Sequence, residues 1–122
     1  MSMENEEEKL TNSLVSIAIE SWRLQSVFNK VLSKLDMDDR KKYQSQFLWF
    51  SKKVNNALNE AEIKTVNLEG QKYDPGMAVT ALNCDEFDTD DELIVVQTIE
   101  PIVMKKDVLL KTGTVVLGKE LK

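Results

Sequence analysis

The chain has no histidine, one cysteine, four glycines and two prolines in 122 residues. Without histidine it lacks the side chain that most often serves as general base or metal ligand, and the expectation is a protein that is not an enzyme. A single cysteine, Cys84, excludes an intramolecular disulfide and a cysteine-based zinc site. It suits a reducing compartment, with the cytoplasm as the expected location. Positive charge is also short: 16 Lys and Arg face 21 Asp and Glu, for a net charge of -5 and a pI near 4.8. Nucleic acid and anionic membrane surfaces repel such a chain; a protein partner is expected, with no nucleic acid and no membrane. No apolar run approaches the ~18 residues of a membrane span. The acidic start Met-Ser-Met-Glu-Asn-Glu-Glu-Glu has no apolar core of a signal peptide. Neither Gly-x-Gly-x-x-Gly nor Gly-x-x-x-x-Gly-Lys occurs, so no phosphate-cradling loop and no cofactor are expected.

Two helical patterns fill the first half. Leu10, Leu14, Ile17, Leu24, Phe28, Val31 and Leu35 alternate by four and three with Ser21 as the one break, which is a heptad face. A second stripe, Val15, Ile19 and Trp22, lies on the opposite side, so this helix needs burial on two faces. Asp36 to Asp39 offers a helix start. Tyr43, Phe47, Phe50, Val54, Ala57 and Ala61 then repeat the spacing, one residue out of phase with a continuation of the first series. The phase break predicts a hairpin, with about 26 helical residues at most in its first arm. Leu48, Trp49 and Leu58 add apolar surface that two helices cannot cover. Two hairpins packed as a dimeric four-helix bundle solve this, with Leu14, Ile17, Trp22, Leu24, Phe28, Phe47, Phe50 and Val54 as the expected dimerisation residues.

Beyond Ala61 the period shortens. Ile63, Val66 and Leu68 lead out of the helix and Gly70 marks a turn. Strands are expected from Met77 to Leu82, Leu93 to Ile99, Ile102 to Met104, Val108 to Leu110 and Thr114 to Leu117. Such short strands suggest a compact sheet pair or a partly open barrel. The expected class is α+β: a disordered acidic tail over 1–8, a helical hairpin over 9–62, and a small all-β domain over 63–122.

Few residues carry chemistry. Asp85, Glu86, Asp88, Asp90, Asp91 and Glu92 place six carboxylates in eight residues, yet with no glycine and no flanking helix pair they do not match a calcium loop. A solvated turn between strands is the expected state. Cys84 has no histidine to activate it as a nucleophile. Asp74-Pro75-Gly76 is a turn sequence in its own right, proline fixing φ and glycine allowing φ above zero.

The order of parts from Gly70 onward resembles the carboxy-terminal β domain of GrpE-type nucleotide exchange factors, whose pattern is Gly, two residues, aromatic or Leu, Asp-Pro-Asn. Gly70, Tyr73, Asp74 and Pro75 match it, and Gly76 stands where Asn is usual. Glu100, Pro101, Leu110, Lys111, Val115, Val116 and Leu117 fall in step with the family's closing segment, Arg-Pro-Ala-x-Val-x-Val. Three departures accompany the match: Ala78 and Val79 replace a usual His-Glu pair, Val108 replaces an arginine, and the long paired helix ahead of the bundle is short here.

The resemblance implies a homodimeric co-chaperone that promotes ADP release from a DnaK-type (Hsp-seventy-type) chaperone ATPase domain. It places Tyr73, Asp74, Pro75, Ile99, Lys111 and Leu117 at the chaperone interface, although Ile99 and Leu117 also suit a core and Lys111 a solvated charge. The alternative is a dimeric helical adaptor without exchange activity.

Overall fold

The computed structural model describes residues 3–120 and has the α+β organisation read from the sequence: a helical hairpin followed by a small β domain. The chain divides into two compact units, Met1–Lys64 and Thr65–Lys122.

Helix α1 spans Met3–Lys34 and α2 spans Met37–Glu60. At 32 residues, α1 exceeds the length that apolar periodicity alone supports, and the described part of the expected disordered tail, from Met3 onward, is helical. Glutamate is a good helix former, and Glu6, Glu7 and Glu8 set negative charge at the positive end of the helix dipole. Met1 and Ser2 lie outside the described residues.

The turn between the helices is held from both sides. Asp36 caps α2, its Oδ1 accepting the Asp39 N–H at 2.9 Å. Arg40 reaches back from the first turn of α2 to the end of α1, donating to the carbonyls of Leu32 at 3.0 Å, Leu35 at 3.1 Å and Ser33 at 3.3 Å. One guanidinium thus adds donors at a helix end, where intrahelical partners for the carbonyls run out.

Within the hairpin the second stripe is the better buried: Val15 and Ile19 are buried and Trp22 half-buried, with Ala18 buried beside them. Ser21, the break in the heptad series, is also buried, its hydroxyl donating to the Ala18 carbonyl at 3.1 Å. Four positions of the first stripe, spaced seven apart, face outward: Leu10, Ile17, Leu24 and Val31 are 67, 55, 51 and 44% exposed.

Among the described residues, six strands make up the β part: β1 (Ile63–Val66), β2 (Val79–Ala81), β3 (Leu93–Glu100), β4 (Ile102–Lys105), β5 (Val108–Lys111) and β6 (Gly113–Lys119). They form two three-stranded sheets, ordered β1-β4-β5 and β2-β6-β3. This is the sheet pair anticipated, with Ile63 to Val66 forming a strand of their own rather than a helix exit. β6 pairs parallel with β2 and antiparallel with β3.

The register of β3 slips between Val95 and Gln97 and again between Thr98 and Glu100, leaving Val96 and Ile99 as extra residues. Each bulge resets the in–out alternation, which is why Val95 and Thr98 are both buried although three positions apart. Val95, Val115 and Leu117 form the core of this sheet, with Leu68, Tyr73, Val79, Phe87 and Leu93 packed against it. No helix among the described residues is long and apolar enough to cross a membrane.

Candidate functional site

Gly70 initiates the local structure on which the site is built. Its φ of 89° lies in the region open to glycine, and it turns the chain so that residues 70–73 run along the edge of β3. The Gly70 N–H donates to Val95 O at 2.7 Å, the Val95 N–H to Gln71 O at 2.9 Å, and the Tyr73 N–H to Leu93 O at 2.8 Å. This segment covers part of an otherwise open strand edge and packs Tyr73 against the core.

The next turn is closed differently from the sequence reading. Gly76 has no positive φ; instead Asp74 accepts the Gly76 N–H on Oδ1 at 3.1 Å and the Met77 N–H on its carbonyl at 2.9 Å. An aspartate that bonds to the backbone two residues on makes such a turn without a left-handed glycine. Asp74 and Pro75 are exposed.

The six residues expected at a chaperone interface do not form one patch. Tyr73, Asp74 and Pro75 lie together at the Leu93 end of β3. Ile99 and Lys111 belong to its other end, with Ile99 half-buried at the second bulge and the Lys111 ammonium 3.6 Å from Glu100. The eight-residue strand separates the two groups by roughly 20 Å. Leu117 belongs to neither. It is 2% exposed, because the alternation of β6 puts it on the same inward face as Val115, and so it is corrected from interface to core.

The expected dimerisation residues also divide. Phe28 and Phe47 stack on each other within the hairpin, centroids 4.8 Å apart, while Leu14, Trp22 and Val54 are half-buried. Ile17, Leu24 and Phe50 face outward, as do Tyr43, Leu48 and Trp49. Phe28 and Phe47 thus serve the hairpin's own packing.

The acidic segment does more than turn. It contains a short 3-10 helix, Cys84–Glu86, and forms one wall of a groove of about 470 Å³ whose other walls include Lys72, Tyr73, Pro75, Leu93 and Glu120. Phe87, the lone aromatic in the acidic run, is half-buried and packs on the core. It is the sequence signal that the segment is anchored on the sheet.

Asn83 fixes where the segment begins. Its side chain donates to Leu117 O at 2.9 Å and accepts the Leu117 N–H at 2.9 Å. Asp91 closes the loop by accepting the Asp88 N–H at 2.9 Å, and Lys119 lies 3.9 Å from its other oxygen. Glu120 Oε2 is closed off from solvent and accepts no hydrogen bond; the Lys72 ammonium lies 3.7 Å away.

Cys84 is a free, exposed thiol at the groove. Among the described residues, no group of three or more Cys, Asp and Glu side chains is placed to hold a metal ion. The groove combines pre-packed aromatic side chains, carboxylates and backbone held in place by the sheet.

Comparisons with protein-family models, with curated proteins and with solved structures find no match to this chain.

Proposed function

We propose that this protein is a homodimeric, cytoplasmic nucleotide exchange factor of the GrpE type, acting on the ATPase domain of a DnaK-type chaperone. The observation that carries the reading is the segment from Gly70 to Pro75. The residues that match the family pattern are those that build the turn: Gly70 by its positive φ, Tyr73 by docking on β3, Asp74 by closing the turn and Pro75 by standing exposed at its tip. A helical hairpin followed by six short strands in two sheets supports the same reading.

Exchange requires no covalent chemistry. The β domain binds the open form of the ATPase cleft more tightly than the closed form, and ADP loses contacts in the open form. The protein therefore acts without being an enzyme and without a cofactor.

Dimerisation is supported by Leu10, Ile17, Leu24 and Val31, whose seven-residue spacing repeats on one exposed face of α1. A second hairpin laid against this face buries it, and the exposed Tyr43, Leu48, Trp49 and Phe50 of α2 enlarge the surface available.

One finding favours the second reading, an adaptor without exchange activity: Lys111 is engaged by Glu100 and Leu117 is buried, so two residues carried over from the family are used inside the fold. Release of a fluorescent ADP analogue from a DnaK-type ATPase domain separates the two. Acceleration that is lost in a Pro75→Ala, Lys111→Glu variant supports exchange through these residues. Binding without acceleration supports the adaptor.

A further inference from the structure

From the groove beside Tyr73 we infer a binding site for an arginine-bearing segment of a protein partner. Its volume of about 470 Å³ is in the range of sites that enclose a side chain and its flanking backbone. Part of the lining is apolar and pre-formed, because Tyr73, Phe87 and Leu93 are packed on the core of the sheet. The lining also carries Asp88, Asp91, Glu92 and Glu120, and Lys72 is the one cation among the described lining residues.

The charges are unevenly matched. Asp91 has Lys119 at 3.9 Å and Glu120 has Lys72 at 3.7 Å. No ion pair to Asp88 or Glu92 is found among the described residues, and both are exposed. An anionic ligand is repelled by this rim. A purely aliphatic ligand leaves the carboxylates without partners as it displaces their water.

An arginine side chain suits both the apolar and the acidic lining of the groove. Its methylene stem lies on an apolar wall, its planar head stacks on an aromatic ring, and its fork of donors fits a carboxylate with two parallel hydrogen bonds. Lysine supplies the charge without the plane or the fork. The chain's net charge of -5 draws basic segments toward it before contact. The site shares Tyr73 and Pro75 with the proposed chaperone-binding turn and goes beyond that reading, since it does not depend on nucleotide exchange.

The test uses the full chain, isotope-labelled, titrated with the peptide acetyl-Gly-Leu-Arg-Leu-Gly-amide while backbone amide signals are followed by NMR. Saturable shifts are expected at residues 72–74 and 86–93, weakening as salt rises. The same peptide with Glu in place of Arg is expected to cause none. In an Asp88→Lys, Glu92→Lys variant, affinity is expected to fall about tenfold or more; both positions are exposed, and an unchanged melting curve verifies the fold. Lys111→Glu, at the far end of β3, is expected to leave binding intact.

Absence of saturable shifts in the unmodified chain overturns the assignment, as does equal binding by the Glu peptide or by the charge-reversed variant. Peptide binding without any effect on ADP release upholds this site and removes the exchange reading. Accelerated release without peptide binding does the reverse.

Discussion

Asn83 and Leu117 exchange two hydrogen bonds of 2.9 Å, the side-chain amide of one pairing with both backbone groups of the other. The side chain thereby acts as one more residue of strand, continuing along β6 where the β2 ladder stops. It ties the start of the acidic segment to the most buried stretch of the sheet. Asn83→Ala leaves a part-buried N–H and C=O of Leu117 unpaired and is expected to cost about 1–3 kcal/mol. Denaturant melts measure the loss. Asn83→Asp keeps the acceptor and removes the donor, and is expected to fall between alanine and the natural residue.

Gly70 and Gly113 are expected to resist alanine for different reasons. A Cβ at Gly70 meets nothing within 4 Å, so Gly70→Ala costs only the strain of φ near 89°, about 1 kcal/mol. Gly70→Asn is expected to cost less, since asparagine tolerates the left-handed region. Urea melts of the two variants test the ranking.

At Gly113 the obstacle is space. A Cβ there stands 3.0 Å from Glu100 O and 3.2 Å from both the Ile102 nitrogen and its Cγ1, two of the three being backbone atoms. Gly113→Ala is expected to destabilise by about 1–3 kcal/mol. Gly113→Asn is expected to be worse than alanine, opposite to the order at Gly70, and the same melts read it.

Arg40 supplies three hydrogen bonds to the carboxy-terminal end of α1. Arg40→Ala is expected to lower stability by about 1–2 kcal/mol. Arg40→Lys is expected to recover only part of this, because an ammonium cannot serve three carbonyls with the guanidinium's spread. Thermal unfolding followed by helical circular dichroism checks both.

Ile17→Glu with Leu24→Glu places two charges on the outward heptad face and none in the hairpin's own packing. Sedimentation is expected to show the unmodified chain as a dimer and this variant as a folded monomer. A monomer in both removes the proposed second copy.

Much of the fold was legible because it rests on local periodicity. Four-three spacing located both helices, and Asp36 marked the start of the second. Five of the six strands followed from short β-branched runs between turns. β1 was hidden because Ile63 to Val66 follow the helix directly, with no turn residue to announce a change of period. The length of α1 was underestimated because its first turns are polar and carry no apolar signal. Alternation with Val115 was sufficient to place Leu117 inward; the alignment to the family pattern pulled it to the interface instead.

The groove was not legible. It joins residues 72–75, 84–93 and 120, and what brings them together is the β3–β6 pairing and the Asn83 link, whose partners stand 34 positions apart in sequence. Only Phe87, an aromatic inside a run of carboxylates, hinted that the acidic segment is anchored.

The most direct measurement is the rate at which a fluorescent ADP analogue leaves a DnaK-type ATPase domain as this protein is titrated in. Nucleotide exchange predicts a rate that rises and saturates with concentration, and that returns toward its unassisted value when Pro75→Ala and Lys111→Glu are combined. A rate that stays flat across the titration, while binding to the same ATPase domain is detected, contradicts it.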